Sequence, residues 1–341
     1  MKRKLTLIAL IAISLFTGRV MAGDYIMLIG SSVNDSTVEQ ILVDAGYTVH
    51  RGTGTYTGIL SQEKLDSLNN AALVIFSRNG ASAAHGDESG TPGIVQQWAD
   101  VSAPILSLSV WIMRSNRWQW INTTTTACLQ SDTIYITSDG TEHPIFTNIS
   151  LVNGGIPFTQ PGITRNESTP VTPELTTNAG IKILAVDSQT DDQRVAIAEW
   201  EAGVPFYSDA PIPSSTRMFM AISEGDNCKQ ETIRSNVMSA FNGTDQGKQL
   251  LLNAVAYLTG KPIVNSVKNM AKNSLTLFPN PASQYVVLSN LKATVDFKVI
   301  NVNGAVVLKG KTSSQINVSS LPAGLYMVVS GNGLAGKFMK Q

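Results

Sequence analysis

The sequence predicts an α/β domain with a mainly parallel sheet and flanking helices, followed by a small all-β sandwich. Two patterns carry this. Over residues 24–110, apolar runs of strand length alternate with segments of helical period, the signature of βαβ units. From Leu275 onward the runs are short and β-rich, with turn residues between them, as in a sandwich. Between the two patterns, Ile263 to Asn273 reads as an interdomain linker. The expected layout is a signal peptide over 1–22, the α/β domain over 23–262, the linker over 263–273 and the β-module over 274–341.

Met1-Lys2-Arg3-Lys4 is a positive start, and Leu5 to Phe16 is an apolar core too short to span a bilayer. Val20-Met21-Ala22 supplies a cleavage site, so the mature chain is expected to begin at Gly23 after Sec-type export. Asp24 to Gly30 is a buried-strand candidate. Ser36 and Glu39 stand at capping-box spacing, and Val38, Ile41, Leu42 and Ala45 then share a helical face that Gly46 ends. Tyr47 to His50 reads as the second strand, and Ser61 caps a second helix with Leu65 and Leu68 inward. Ala72 to Ser77 is the third strand, Gly93 to Val101 the third helix and Pro104 to Ser109 the fourth strand.

Beyond this the alternation loosens. Thr133 to Thr137, Ile181 to Val186, Arg194 to Trp200 and Arg217 to Ile222 suggest strands, and 149–178 suggests a long excursion. Asp245 is placed to cap a final helix whose Leu250, Leu251, Ala254, Val255 and Leu258 form an apolar stripe. In the last module Asn303-Gly304 is a hairpin signal, and Leu321-Pro322-Ala323-Gly324 is a turn before Leu325 to Val329.

Lys+Arg and Asp+Glu are both 25, so no net field draws the chain to nucleic acid or acidic lipid. The two cysteines, Cys128 and Cys228, are disulfide candidates in an oxidising compartment. Without a histidine cluster they make a poor zinc site. Asp191-Asp192 and Glu224-Gly225-Asp226-Asn227 do not reproduce the calcium loop. No metal or cofactor is expected, since the first strand also lacks a dinucleotide glycine fingerprint.

Phe278-Pro279-Asn280-Pro281, Val302-Asn303-Gly304, Leu321 to Tyr326 and the lysine-bearing end Gly336 to Lys340 appear in that order. Over 274–341 they resemble the type A C-terminal sorting domain of the type IX secretion system of Bacteroidetes. The resemblance implies an immunoglobulin-like sandwich, recognition by the outer-membrane translocon, and commonly cleavage with release or attachment to surface lipopolysaccharide.

The opening strand, Glu142 to Phe146, Arg194 to Trp200 and Gly247 to Ala254 resemble the class I glutamine amidotransferase-like fold, a flavodoxin-like architecture, and within it the trehalose-utilisation type. In that family a cysteine elbow follows the fourth strand. Here Ser109 stands near that place, in Ser107 to Trp111, without the glycines of a sharp elbow. No histidine follows His143, so the family's late His-Glu pair is missing.

Ligands of open α/β sheets bind beyond the carboxyl ends of the strands. That rule selects Ser31, Ser32, Arg78, Asn79 and Trp111 as a polar recognition set for a small polar or glycan ligand. Trp111, Trp118 and Trp120, with Arg114 and Arg117 interleaved, form an aromatic-cationic group that either stacks on a sugar or packs over the sheet as core, and core packing is the favoured reading. A hydrolase would use Ser109 with His85 as its base, oriented by Asp87 or Glu88; His85 otherwise reads as a solvent-facing loop residue. The expectation is therefore a secreted or cell-surface protein whose α/β domain binds such a ligand. The alternatives are an extracellular hydrolase using Ser109 or His85 and a structural surface protein that binds other proteins.

Overall fold

The computed structural model describes residues 24–30, 35–52, 56–77, 82–87, 92–161, 164–176, 180–229, 241–263, 275–289, 294–301, 305–331 and 335–341. The chain divides into two compact units, Met1–Val264 and Asn265–Gln341.

In the first unit β1 (Tyr25–Ile29), β2 (Thr48–Gly52), β3 (Leu73–Phe76) and β4 (Ile105–Ser107) run parallel in the order β2-β1-β3-β4. They are linked by α1 (Ser36–Asp44), α2 (Gln62–Asn69) and α3 (Ile94–Ala99), and a short α4 (Val110–Met113) follows β4. The order reverses at β1. Right-handed crossovers then put α1 on one face and α2 and α3 on the other. Val38, Ile41 and Leu42 of α1 and Ile94 and Trp98 of α3 are buried. Asp35, rather than Ser36, stands at the N-cap of α1, and Gly46 (φ 86°) lies just past its end.

The second half corrects the expectation of a mainly parallel sheet. It holds β5 (Ala127–Cys128), β6 (Thr133–Ile136), β7 (Ile156–Pro157), β8 (Thr164–Ser168) and the short α5 (Pro173–Thr176). These are followed by β9 (Ile181–Val186), β10 (Val195–Trp200), β11 (Arg217–Met220), β12 (Glu224–Lys229) and α6 (Asp245–Leu258). The nine-stranded sheet runs β2-β1-β3-β4-β11-β10-β9-β6-β7. β11 is parallel to β4, but β11, β10, β9, β6 and β7 pair antiparallel. No crossover helix lies between β9 and β10, and without one consecutive neighbours must run antiparallel. The expected excursion over 149–178 contains β7, β8 and α5, and 224–229 is strand. β12, β8 and β5 form a separate three-stranded sheet.

Two polar side chains, one fully buried and one half-buried, fix this frame. The Arg217 guanidinium donates to the carbonyls of Trp98 (3.1 Å), Ala99 (2.9 Å) and Val101 (2.9 Å), so β11 satisfies the free carbonyl end of α3. Burial pulls its pKa down to about 9, which leaves it charged at neutral pH. The Thr244 hydroxyl, rather than Asp245, caps α6 by accepting from the Gly247 amide at 3.1 Å.

The second unit holds β13 (Leu277–Phe278), β14 (Tyr285–Leu288), β15 (Val295–Asn301), β16 (Val306–Thr312), β17 (Gln315–Asn317), β18 (Gly324–Ser330) and β19 (Ala335–Lys340). They make two antiparallel sheets, β13-β14-β17 and β16-β15-β18-β19. Leu277, Val286 and Ile316 of one and Phe297, Val328 and Phe338 of the other share a core. The Asn280 side chain accepts from the Met339 amide (2.8 Å) and donates to the Lys337 carbonyl (3.3 Å), which fastens the Phe-Pro-Asn-Pro segment to the last strand. The Tyr326 hydroxyl donates to the Pro322 carbonyl at 2.9 Å across the Leu-Pro-Ala-Gly turn. The Asn303-Gly304 turn lies outside the described residues.

Candidate functional site

The switch point of the parallel half lies between β1 and β3, where α/β folds commonly hold ligands. Ser31, Ser32, Arg78 and Asn79, the recognition set expected there, lie outside the described residues. The described floor is buried and polar. Asp35 and Ser77 are fully buried, and the Ser77 hydroxyl donates to the Asp35 carboxylate. A Cβ on Gly30 would stand 2.1 Å from Asp35 Oδ2 and 2.6 Å from Ser77 Cβ, so only glycine lets these two side chains close over β1. Asp35 was not singled out from sequence. Its position before a helix reads as an ordinary cap, and its side chain does not cap.

Ser109 follows β4 as the family's nucleophile would, yet its backbone is extended (φ −129°, ψ 118°) and the residue is buried. A nucleophile elbow instead presents its oxygen on a sharp turn. The Ser109 amide donates to Ser107 Oγ at 3.2 Å, and the Ser107 hydroxyl returns a bond to the Ser109 carbonyl at 2.9 Å. His85 corrects the solvent-facing expectation. It is buried in a 3-10 turn over Ser82–His85, with Phe76, Trp98 and Trp118 at ring-centroid distances of 5.2, 5.4 and 5.7 Å. Burial, with the Arg117 charge adding to it, pushes its pKa down to about 4.

Trp118 and Trp120 are buried core side chains. Trp111 is half-buried. Its indole N–H donates to the Glu167 carboxylate, and the Arg114 guanidinium lies 4.5 Å over its ring. Cys128 and Cys228 form a disulfide with a Cα–Cα distance of 5.5 Å. In a flat sheet, β5 and β12 would lie two strand spacings apart, roughly 10 Å, on either side of β8. The 5.5 Å approach means this sheet curls until its outer strands meet. With both cysteines joined, no free thiol remains.

Three segments that carry the amidotransferase resemblance meet on the sheet. His143 Nε2 lies 3.4 Å from Glu199 Oε2 of β10, and its ring packs edge-on against Tyr257 of α6 at 4.7 Å. Asn253 of α6 donates to the carbonyls of Ile145 (2.7 Å) and Thr147 (2.9 Å). His143 Nδ1 accepts from the Ile145 amide at 3.4 Å. The cluster docks α6 on the antiparallel half.

A cleft of about 390 Å³ opens beside β6 and β9. Ile181, Ile183 and Val186 give it aliphatic surface, while Tyr135, Thr137, Ser138, Asp139, Gln189 and Gln193 line it with polar groups. Asp139 is the one charged side chain among the described lining residues. The Gln193 amide is oriented by donating to the Ser188 carbonyl at 2.9 Å. Sequence reading missed this site because its residues come from separate segments, and none forms a motif. Among the described residues no group of His, Cys, Asp and Glu is arranged to hold a metal ion.

Residues 276–340 match the family described as the secretion system C-terminal sorting domain. This segment is a type IX sorting domain. The sorting domain implies recognition by the type IX machinery and export to the outer cell surface or the extracellular space. No curated protein matches the chain. Among solved structures it is similar to Cytoplasmic Protein STM3548 from Salmonella typhimurium, at 9% identity and a TM-score of 0.38 over 68% of this chain and 98% of that one. It is also similar to Cytoplasmic Protein STM1381 from Salmonella typhimurium LT2, at 10% identity and a TM-score of 0.43 over 69% and 99%.

Proposed function

We propose that the sorting domain carries a binding domain to the cell surface, and that this amidotransferase-like α/β domain recognises a neutral, hydroxyl-rich ligand of the glycan class. Removal of residues 1–22 on Sec-type export and final attachment to surface lipopolysaccharide belong to the same reading. The observation that supports it best is the cleft beside β6 and β9, with its hydroxyl and amide lining, its aliphatic surface and Tyr135. Amides and hydroxyls exchange hydrogen bonds with sugar hydroxyls, and an apolar surface accepts the C–H face of a sugar ring. The single carboxylate disfavours anionic ligands.

The family's chemistry has no thiol to use here, since both cysteines are joined in a disulfide. The buried, extended Ser109 likewise supports binding over hydrolysis.

Titration calorimetry of the full chain against a panel of neutral oligosaccharides tests this. At least one is expected to bind, and Tyr135→Ala and Gln193→Ala are each expected to weaken it about tenfold, some 1.4 kcal/mol. Absence of binding across the panel, or binding indifferent to both substitutions, would refute the reading.

A further inference from the structure

The sorting domain buries one face of its four-stranded sheet and exposes the other. Phe297 and Val299 of β15, Tyr326 and Val328 of β18 and Phe338 of β19 point into the shared core. The alternate residues must point outward. Strand register arranges them in rows. Lys309, Lys298 and Val329 lie side by side across β16, β15 and β18. The next row is Val306, Ile300, Met327 and Lys337. Leu325 and Met339 face each other in the row after that.

Two features of this face are costly unless it is used. Its apolar rows reach solvent, with Leu325 and Met339 each 43% exposed and Val306 49%, while Ile300 and Met327 between them are half-buried. Lys298 also stands directly opposite Lys309, a like-charge cross-strand pair that destabilises a sheet. Lys309 and Lys337 lie on edge strands, where lysine also guards against edge-to-edge pairing. Lys298 is on an inner strand, so that explanation does not reach it. Among the described residues, none of Lys298, Lys309 and Lys337 is in an ion pair.

We infer that this outward face is where the export machinery reads the sorting domain, and that its partner is a protein surface with an apolar centre and a carboxylate rim. In the row beyond Lys298, Asp296 stands opposite Lys311, an oppositely charged pair; Lys298, Lys309 and Lys337 leave the face net positive, which fits an acidic counterpart. The apolar rows are held rigid by the sheet, which suits a preformed protein surface. The inference rests on export through this domain and adds the surface and the partner's chemistry.

The test is the fraction of full-length protein found outside a type IX-competent cell. The double substitution Lys298→Glu and Lys337→Glu is expected to cut that fraction at least tenfold, and Lys298→Arg with Lys337→Arg to leave it unchanged. Lys298→Glu turns the repulsion with Lys309 into attraction; the melting temperature of the double variant is expected to hold within a few degrees of wild type, and a held value separates lost recognition from misfolding. Leu325→Ser with Met339→Ser should lower export as well. Wild-type export of the charge-reversed protein, in a cell where removal of residues 276–341 blocks export, would overturn the face and leave the sorting domain standing. Sedimentation of the wild-type chain with phosphatidylglycerol vesicles, abolished by the charge reversal, would overturn the protein partner in favour of a lipid surface.

Discussion

His85 shows what a single position gains from its surroundings. Small and polar neighbours, Ala81 to Ala84 and Gly86, give it the look of a loop residue. Phe76, Trp98 and Trp118 come from three other segments to enclose it. That enclosure is a tertiary fact, and no local pattern announces it. The consequence is a pH dependence of fixed sign. Its pKa falls from 6.5 to about 4 on folding, so the unfolded chain binds a proton that the folded chain refuses in that interval. The stabilisation is complete above pH 6.5 and is lost as pH falls toward 4, amounting to about 3 kcal/mol. The melting temperature should therefore drop between pH 7 and pH 4. His85→Phe, which keeps a ring in the aromatic cage, should flatten that part of the profile. An unchanged slope in the variant would assign the acid sensitivity to other groups.

At the scale of elements, legibility divides at about residue 110. β1, β3 and β4 were readable because a central parallel strand is apolar on both faces and its crossover helix follows at once. The direction of β9 and β10 was not. All six residues of Val195–Trp200 are buried, as they would be in a parallel strand. Only the short connection from Val186 to Val195, a relation between elements, decides the matter. β8 and β12 were missed because Thr-Arg-Asn-Glu-Ser and Glu-Gly-Asp-Asn-Cys-Lys have loop composition. They are joined by pairing with each other, and the curled sheet is closed by the Cys128–Cys228 bond over a sequence separation of 100. By chain entropy a loop of that size is worth about 4–5 kcal/mol. The doubly substituted Cys128→Ser, Cys228→Ser protein should lose about that much in denaturant unfolding. A loss below about 1 kcal/mol would mean the curled sheet holds without its covalent tie.

For the whole molecule, the hydrophobic period changes near residue 275, and the chain divides into compact units between Val264 and Asn265. The sorting motifs are local turns whose chemistry is visible residue by residue. The cleft was invisible, since Tyr135 and Gln193 are brought together only by the completed sheet. Each unit has its own core. A chain lacking residues 276–341 is therefore expected to keep the first core and to accumulate in the periplasm. Fractionation with protease protection checks this, and appearance of the shortened chain in the medium would remove the sorting role.

The pairing of Arg217–Met220 with Ile105–Ser107 has a bearing on synthesis. More than a hundred residues separate the two partners in the chain. Until the later strand emerges from the ribosome, β4 displays an unzipped row of amides and carbonyls beside an apolar slab. A nascent or nicked chain ending before Arg217 is a sticky half-sheet, and any holdase that escorts the precursor has its natural grip there.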